Sequence, residues 1–445
     1  MYETADIDSS SPRMPVLRSL VSVLAEVPTG SVEAASVERL TLLEEIKAAC
    51  TAAQVRETAK LDELRAADEA GRNIPKGRRG RGLAAEVGLA RKVSPQKGSQ
   101  YLGFSRALAH EMPHTMSALT DGVLTEWRAT ILVRETAYLT RESREEIDRR
   151  ICSDRQVLLG ASDREIEALA KRHAYELEPA AVVQRKSKAE KDRRVGIRPA
   201  PDLMTQLSAT LPLAQGISVY ASLKKYADSV LGSDDRTHAQ IMADTLTERV
   251  TGRSAAEPTP VAVNVVLSER ALLDIDQSAA DVMGYGPIPA AVARELVASS
   301  VTSAGETGST LRRLYARPAD GALVAMESRS RTFPPSLAHF IRLRDQRCRT
   351  PYCGAPIAEI DHARPHRHDG PTSEANADGA CVAHNRAKEA GGWKYEVRIV
   401  GDNRVIEVIT PTGARHRSAA PPAIGHREPT NSVIETRLLQ LLAAA

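Results

Sequence analysis

The sequence is poor in aromatic residues and in long apolar runs, and each shortage excludes a class of protein. Aromatic residues make up only 3% of the 445 residues, which argues against an aromatic-rich β-sandwich. No run approaches the roughly 18 apolar residues of a transmembrane helix, and the acidic start MYETADIDSS lacks the features of a secretory signal. We therefore expect a cytoplasmic protein that does not act in a membrane.

Net charge is also low, at +3, and by itself it does not imply a nucleic-acid partner. The residues that dominate are Ala, Leu, Glu and Arg, which favour helices. The length allows two or three domains. We expect a mainly α fold with a small α+β part, in which a helical N-terminal domain is followed by a small C-terminal module.

The residue patterns divide the chain into five consecutive segments. They are a flexible head with one short helix (1–30), a helical domain (31–200), a mixed α/β continuation of that domain (201–330), a compact module (331–400), and a C-terminal hairpin strand, loop and short helix (401–445). Residues 31–70 predict one long helix or a helical pair, because apolar residues recur at helical spacing without Pro or Gly. Residues 184–202 are basic and polar, and they predict a solvated linker.

Strands are predicted at three places. VAVNVVL (261–267) predicts a buried strand, and residues 312–326 predict a hairpin that turns at Asp320-Gly321. Apolar and polar residues also alternate on both sides of Gly401-Asp402-Asn403, which predicts a second hairpin. A capping box at Ser162 and Glu165 predicts the start of a helix.

Residues 83–108 outline two short helices separated by a break at Val93-Ser94-Pro95. Two interpretations stay open: two packed helices of a bundle, or a helix-turn-helix that contacts DNA. The DNA-binding interpretation is favoured by the basic run that precedes the helices. Its candidate DNA-binding residues are Arg78, Arg79 and Arg81.

Three of the five cysteines lie in one short stretch, from Arg347 to Trp393. Cys348 and Cys353 are separated by four residues, and Cys381 and His384 by two. Two short-spaced pairs of sulfur and nitrogen ligands fit a closed, tetrahedral zinc site that stabilises a small module. In a reducing compartment, such a cluster indicates a metal rather than disulfides.

A structural zinc does not account for the pair Asp361-His362 between those ligands. A carboxylate can hold a hard divalent cation, and an imidazole has a reference pKa near neutrality, so that it can deprotonate water. Asn376 and Asn385 follow in the same stretch. Asn385 comes one residue after His384, so on a helix it points about 100° away from the zinc ligand. Its amide oxygen is then free for a second metal.

This stretch resembles the HNH endonuclease module, a ββα-metal nuclease of the zinc-knuckle type. The matching positions are Cys348, Cys353, Asp361-His362, Gly370-Pro371, Asn376, Cys381, His384-Asn385 and Lys388. The upstream residues resemble the helical domain of unknown function that precedes HNH modules in many actinobacterial proteins. That resemblance is carried by RRVGIRPAPDLMTQLSATLPLAQGISVYASL, GYGPIPAAVARELVA and FPPSLAHFIRLRDQRCRTPYC.

The resemblance implies a metal-dependent endonuclease that hydrolyses phosphodiester bonds in DNA, most simply in duplex DNA. It implies that His362 is the general base and that Asp361 and Asn385 bind Mg²⁺, Mn²⁺ or another divalent ion. Asn376 would orient His362 or the surrounding loop. Lys388 or Arg364 would hold the phosphate, and a homodimer would suit double-strand cutting. Two alternatives stay open: a non-catalytic, zinc-stabilised DNA-binding protein, and a protein-interaction scaffold.

Overall fold

The structure is a computed structural model that describes most of the chain. The described residues are 14–30, 32–232, 235–254, 265–272, 277–282, 285–302, 332–400 and 403–421. They are mainly helical with small antiparallel sheets, as the sequence predicts. They form two compact units, the first from residues 1–183 and 325–421 and the second from residues 184–324. The first unit thus joins both ends of the described chain.

The N-terminal part of the first unit consists of helices, most of which pack around one apolar core. They are α1 (Met14–Ala25), α2 (Glu33–Gly71), α3 (Leu83–Ala90), α4 (Pro95–His110), α5 (Pro113–Thr120), α6 (Glu126–Thr136), α7 (Arg141–Cys152), α8 (Asp163–Leu177) and α9 (Pro179–Lys191), the last of which continues into the second unit. The predicted long helix is confirmed as α2, and the short helix of the head as α1. Aliphatic and small side chains such as Ala52, Leu108 and Ile147 fill the core, which suits the alanine-rich composition.

Local sequence signals account for several helix starts. The predicted capping box at Ser162 and Glu165 is confirmed at the start of α8. Ser94 caps α4, whose first residue is Pro95. These caps satisfy backbone N–H groups that have no partner within the helix.

The helices α3 and α4 pack closely against each other, with the predicted break between them. A Cβ at Gly98 of α4 would overlap the backbone of α3 at Ala84 and Gly88, so only glycine permits this approach. The polar start of α4, which includes Gln96 and Lys97, is exposed. The pair has the packing of a bundle, and a DNA-reading role for α4 stays a prediction.

The second unit combines an exposed β-ribbon, helices and a small sheet. Its elements are β1 (Arg194–Pro199), β2 (Thr205–Thr210), α10 (Leu213–Val230), α11 (His238–Thr251), β3 (Val265–Val266), α12 (Glu269–Leu272), β4 (Ala280–Val282), β5 (Gly286–Ile288) and α13 (Ala290–Thr302). β1 pairs antiparallel with β2, and β4 lies between β3 and β5.

Two predictions for this region need correction. Residues 184–202 are not a linker without secondary structure, because α9 and β1 cover most of them. Their charged side chains remain exposed, which is why the charge pattern resembled a linker. The strand predicted at 261–267 is described only at Val265–Val266, where it is half-buried. The hairpin predicted at 312–326 lies outside the described residues.

The C-terminal part of the first unit contains two helices and two small sheets. Its elements are α14 (Pro335–Asp345), β6 (Glu359–His362), β7 (Ala377–Ala380), α15 (Val382–Lys388), β8 (Lys394–Val400), β9 (Asn403–Ile409) and β10 (Arg415–Ala419). β6 pairs antiparallel with β7, and α15 follows at once. The predicted hairpin is confirmed, since Val400 of β8 pairs with Asn403 of β9. Strand β10 was predicted as loop, and the predicted C-terminal helix lies outside the described residues.

The sheet β8-β9-β10 packs on the N-terminal helices. Ala85 and Leu89 of α3 share a buried cluster with Trp393, Tyr395 and other apolar residues of the C-terminal part. Glu86 of α3 is buried, forms a 2.6 Å ion pair with Arg65 of α2, and accepts hydrogen bonds from Thr412. These contacts make the two ends of the described chain one unit. Across the described ranges, no helix has both the length and the apolar character needed to cross a bilayer.

Candidate functional site

The predicted zinc ligands come together in one buried cluster. Cys348 and Cys353 lie in the loop after α14, Cys381 caps α15, and His384 lies on its first turn. Their ligand atoms lie within 4.8 Å of one another, and all four residues are buried. Among the described residues this is the one group of three or more His, Cys, Asp or Glu placed to hold a metal ion.

The distances within the cluster fit a tetrahedral ion. Zinc bonds of about 2.3 Å to sulfur and about 2.0–2.1 Å to nitrogen place two sulfurs about 3.8 Å apart, and sulfur about 3.5 Å from nitrogen. Cys353 Sγ lies 3.7 Å from Cys381 Sγ, and His384 Nδ1 lies 3.5 Å from both Cys348 Sγ and Cys381 Sγ. These three distances match a tetrahedral site, so the four residues could bind a metal such as zinc.

The three thiols of the cluster do not share one pKa shift: hydrogen bonds to its neighbours raise the pKa of Cys353, whereas hydrogen bonding lowers the pKa of Cys348 and of Cys381. Hydrogen bonds from Cys348 and Cys353 lower the pKa of Cys381 to about 2, with help from backbone N–H groups at the start of α15. Burial instead raises the pKa of Cys152, in the helical bundle, to about 12. Thiolates are the metal-binding form of cysteine. Cys152 and the exposed Cys50 are free thiols outside the cluster, as the sequence predicts.

The loop that carries the first two cysteines is a tight knuckle. Cys348 N–H donates to the carbonyl of Ala355 at 2.9 Å, and Cys353 N–H donates to that of Thr350 at 3.2 Å. Tyr352 adopts a left-handed conformation with φ 62°, which reverses the chain between the two cysteines. Arg349 N–H donates to the carbonyl of Gly379 at 3.0 Å and so attaches the knuckle to β7.

The Asp-His strand lies against α15, the helix that carries the predicted zinc ligand His384. Glu359 and Asp361 are two residues apart on β6, so their side chains share one face of the strand. On that face Glu359 accepts a hydrogen bond from Asn385 Nδ2, and Asp361 Oδ2 lies 2.7 Å from Lys388 Nζ. The predicted ligands Asp361 and Asn385 therefore both line the contact between β6 and α15.

The amide oxygen of Asn385 takes part in neither of these two contacts. Asn385 Oδ1 is buried and has no hydrogen-bond partner among the described residues. Burying a carbonyl oxygen without a partner is unfavourable, so such an atom needs an explanation. Because Glu359 holds the Nδ2 end, the oxygen end has a fixed direction. A divalent cation shared with Asp361 would satisfy it, and carboxylate and amide oxygens suit magnesium.

Asp361 is paired with a buried cation. Burial raises the pKa of Asp361, but the nearby ammonium of Lys388 outweighs it, so that the pKa falls below its usual range. Lys388 has only 6% of its side chain exposed, and it also donates to the carbonyl of His362. The Lys388 ammonium thus binds the strand itself, and contact with a phosphate would require it to leave Asp361.

His362 is the neighbour of Asp361 on β6, and one of its ring nitrogens stays close to the Asp361 carboxylate. Its Nε2 lies 2.8 Å from Thr372 Oγ1, and its Nδ1 lies 3.8 Å from Asp361 Oδ1. The ring packs 4.6 Å from the ring of Phe333, centroid to centroid. Burial lowers the pKa of His362, which favours the neutral imidazole. A neutral imidazole can accept a proton.

Asn376 holds the loop after β6. Its Oδ1 accepts from the Arg364 N–H at 2.9 Å, and its Nδ2 donates to the carbonyls of Arg364 and Pro371 at 3.0 and 2.8 Å. Of its two predicted roles, the contacts fit support of the loop. The exposed Arg364 also donates to the carbonyl of His368 at 2.7 Å.

The candidate DNA-binding arginines of the N-terminal part lie before α3. Arg78 and Arg81 are exposed, whereas Arg79 Nε donates to the carbonyl of Ile74 at 2.8 Å. Gly82, the next residue, faces the Trp393 indole of the C-terminal part. The basic run is therefore in the same unit as the Asp-His strand, but it is not part of the cluster of side chains around it.

Comparison with known proteins identifies the larger part of the chain. Residues 40–345 match the family described as "Domain of unknown function (DUF222)", which covers more than half of the 445 residues. The chain belongs to the DUF222 family. This family is often found N-terminal to HNH nucleases, although no HNH family model matches here. No curated protein and no solved structure matches the chain.

In this DUF222 chain, sequence reasoning missed two polar residues of the site. Glu359 orients the Asn385 amide, and Thr372 bonds the His362 imidazole. The period of two along β6 could have indicated Glu359, because it shares a strand face with Asp361. No local pattern indicated Thr372, since its contact with His362 depends on how the loop between β6 and β7 folds.

Proposed function

We propose that residues 331–400 form a metal-dependent HNH endonuclease module that hydrolyses phosphodiester bonds in DNA. The observation that carries this proposal is the buried Oδ1 of Asn385, which has no hydrogen-bond partner in the described part of the chain and lies on the same β6–α15 contact as Asp361. Asp361 and Asn385 thus offer oxygen ligands of the types that magnesium prefers along one contact between β6 and α15, and His362 is the neighbour of Asp361 on the strand. The motif resemblance and the DUF222 family membership support the same proposal.

Each residue then has a distinct role. A divalent ion such as Mg²⁺ or Mn²⁺, held by Asp361 and Asn385, would supply positive charge for the phosphate and the leaving oxygen. In the tautomer that donates Nε2–H to Thr372 Oγ1, His362 would keep the lone pair of Nδ1 to take a proton from water. Glu359 fixes the amide of Asn385, and Asn376 fixes the loop.

The Cys348, Cys353, Cys381 and His384 cluster would hold a structural zinc. It joins the knuckle to the first turn of α15, and α15 carries both Asn385 and Lys388. All four ligand positions of a tetrahedral ion are filled by side chains, which is typical of a structural and not of a catalytic zinc.

The test is a plasmid-nicking assay with the full chain in Mg²⁺. We expect the parent to nick supercoiled DNA, and we expect His362→Ala to lower the rate by about 10²-fold or more, because general-base catalysis is lost. Asn385→Ala should also lose activity. His110→Ala, which changes an exposed histidine of α4, should cut like the parent. A His362→Ala protein that nicks as fast as the parent would remove the proposed mechanism.

One observation favours a second candidate function. Lys388 already neutralises Asp361 at 2.7 Å, so Asp361 needs no metal to be satisfied. This suits a zinc-stabilised DNA-binding protein without catalysis. That function predicts DNA binding without nicking in Mg²⁺ or Mn²⁺, and equal binding by the parent and Asn385→Ala.

A further inference from the structure

The outward face of the sheet β8-β9-β10 carries a cluster of arginines. Ile406 and Val408 of β9 point inward to the apolar cluster, so Glu407 between them lies on the other face. Glu407 is directly opposite Glu396 of β8 and Arg417 of β10. Arg398 and Arg415 lie on the same face as Glu407, because they pair with Val405 and Ile409, each two residues from Glu407 along β9. We call Arg398, Arg415 and Arg417 the arginine face.

One buried carboxylate organises all three guanidinium groups. Glu407 has 0% of its side chain exposed. It lies 2.7 Å from Arg398 Nε, 3.0 Å from Arg415 Nη1 and 2.8 Å from Arg417 Nε. The arginine side chains are 44%, 39% and 50% exposed, respectively. Arg398 Nη2 also lies 3.1 Å from Glu396 Oε2, so Arg415 and Arg417 are the two guanidinium groups held by Glu407 alone and half open to solvent.

The charges on this face do not balance. Arg398, Arg415, Arg417 and Lys394 supply four positive charges, and Glu396 and Glu407 supply two negative ones, which leaves +2. A guanidinium has five N–H donors, and Glu407 takes one from each arginine. Neither Arg415 nor Arg417 has an ion pair with any described acid other than Glu407, so most of their N–H donors are left to bind another anion.

The arginine face is rigidly attached to the zinc knuckle. Inward-facing Ser418 and the carbonyl of Ala419 accept hydrogen bonds from Arg349, which lies next to the zinc ligand Cys348. His416 packs edge-on against Tyr352, with ring centroids 6.4 Å apart. Because residues alternate along β10, these inward contacts fix the outward direction of Arg415 and Arg417.

We propose that the arginine face binds the phosphate backbone of duplex DNA and so positions the substrate on the C-terminal module. Fork-shaped, preorganised guanidinium groups match phosphate oxygens, and a net positive face complements the anionic backbone. Such contacts carry no base sequence information, so they suit positioning. The choice of DNA as the partner rests on the proposed nuclease function, but the binding does not require cleavage.

The test compares two charge-matched double variants of the full chain. Arg415→Gln with Arg417→Gln removes two cations from the arginine face. Arg141→Gln with Arg149→Gln removes two exposed, Glu-paired arginines from α7, and it is the control for net charge. Binding to a labelled duplex is measured by fluorescence anisotropy in buffer without Mg²⁺, between about 50 and 200 mM salt.

We expect the slope of log affinity against log salt to become about 1.8 shallower in the first variant, because each lost phosphate contact removes about 0.9. The α7 variant should keep the parent's slope. Arg415→Lys with Arg417→Lys keeps the charge, so it should keep the slope and lose only part of the affinity. Circular dichroism shows whether each variant folds. If the double glutamine variant does not fold, the single Arg417→Gln variant is used, and its slope of log affinity against log salt should be about 0.9 shallower than the parent's.

An unchanged slope in the folded glutamine variants would overturn the proposal, and so would a parent that does not bind the duplex. Arginine-dependent binding to phosphatidylserine vesicles without binding to DNA would also overturn it and would assign the face to a membrane surface. The two proposals fail separately. Arginine-dependent binding without nicking removes the nuclease only, and nicking with arginine-independent binding removes the arginine face only.

Discussion

At the scale of single residues, the sequence predicts ligands better than it predicts the groups that orient them. Cys348, Cys353, Cys381 and His384 are predictable because zinc ligands come in short-spaced pairs, and the structure brings them together. The ion pair between Lys388 and Asp361 could not be predicted from a short spacing, because it joins a helix to a strand that lies 27 positions earlier in the chain.

Glu407 provides a residue-scale prediction about pH. Burial raises its pKa, but hydrogen bonding to Arg417 and the charges of Arg398 and Arg415 outweigh this, so the pKa in the folded protein is lowered. A lowered carboxyl pKa stabilises the fold above the unfolded pKa of about 4.3, and that stabilisation is lost as pH falls through the folded value.

We therefore expect Glu407→Gln to be less stable than the parent at pH 7, with a gap in unfolding free energy that narrows below about pH 4.3. Urea unfolding of both proteins at a series of pH values measures the gap. A gap that widens as the pH falls would mean that the arginines do not stabilise the Glu407 carboxylate.

At the scale of elements, local patterns account for most helices and for the β8–β9 hairpin. Periodicity and the absence of Pro and Gly predict α2, and a capping box predicts the start of α8. Strand β10 was missed because its outward residues are arginines and its inward residues are His416 and Ser418, so the usual apolar alternation is absent. The prediction of a linker at 184–202 was wrong for a related reason, because the side chains of exposed helices and strands are as highly charged as those of loops.

Gly82, at the start of α3, gives the element-scale prediction. It has a left-handed backbone with φ +84°, and a Cβ there would overlap the buried Trp393 indole. Gly82→Ala should cost about 1–3 kcal/mol of unfolding free energy from strain and overlap together.

Gly80→Ala is a matched control for that change. Gly80 has a similar φ of +69°, but nothing lies within 4 Å of a Cβ there. Gly80→Ala should lose unfolding free energy only from backbone strain, without the overlap with Trp393. Trp393 fluorescence should therefore shift in Gly82→Ala and not in Gly80→Ala. Equal loss of stability in both variants, with no shift in fluorescence, would show that α3 does not pack on Trp393 in this way.

At the scale of the whole molecule, the sequence predicts the parts but not their assembly. The domain order along the chain suggests a separate C-terminal module, yet residues 325–421 form one unit with residues 1–183. That packing depends on contacts such as Glu86 with Thr412, which are distant in sequence and leave no local pattern. A metal bound by the cysteine–histidine cluster would replace a large apolar core and so help a short module to fix both the Asp-His strand and the arginine face.

The central claim is therefore that the cysteine–histidine cluster holds zinc and that the C-terminal module depends on it. Elemental analysis of the purified full chain tests this most directly. We predict about one zinc per chain in the parent and in Cys50→Ser, whose thiol lies outside the cluster, and a clear loss of zinc in Cys381→Ser. A parent purified without zinc that does not take it up, or a Cys381→Ser protein with the parent's zinc content, would contradict the account.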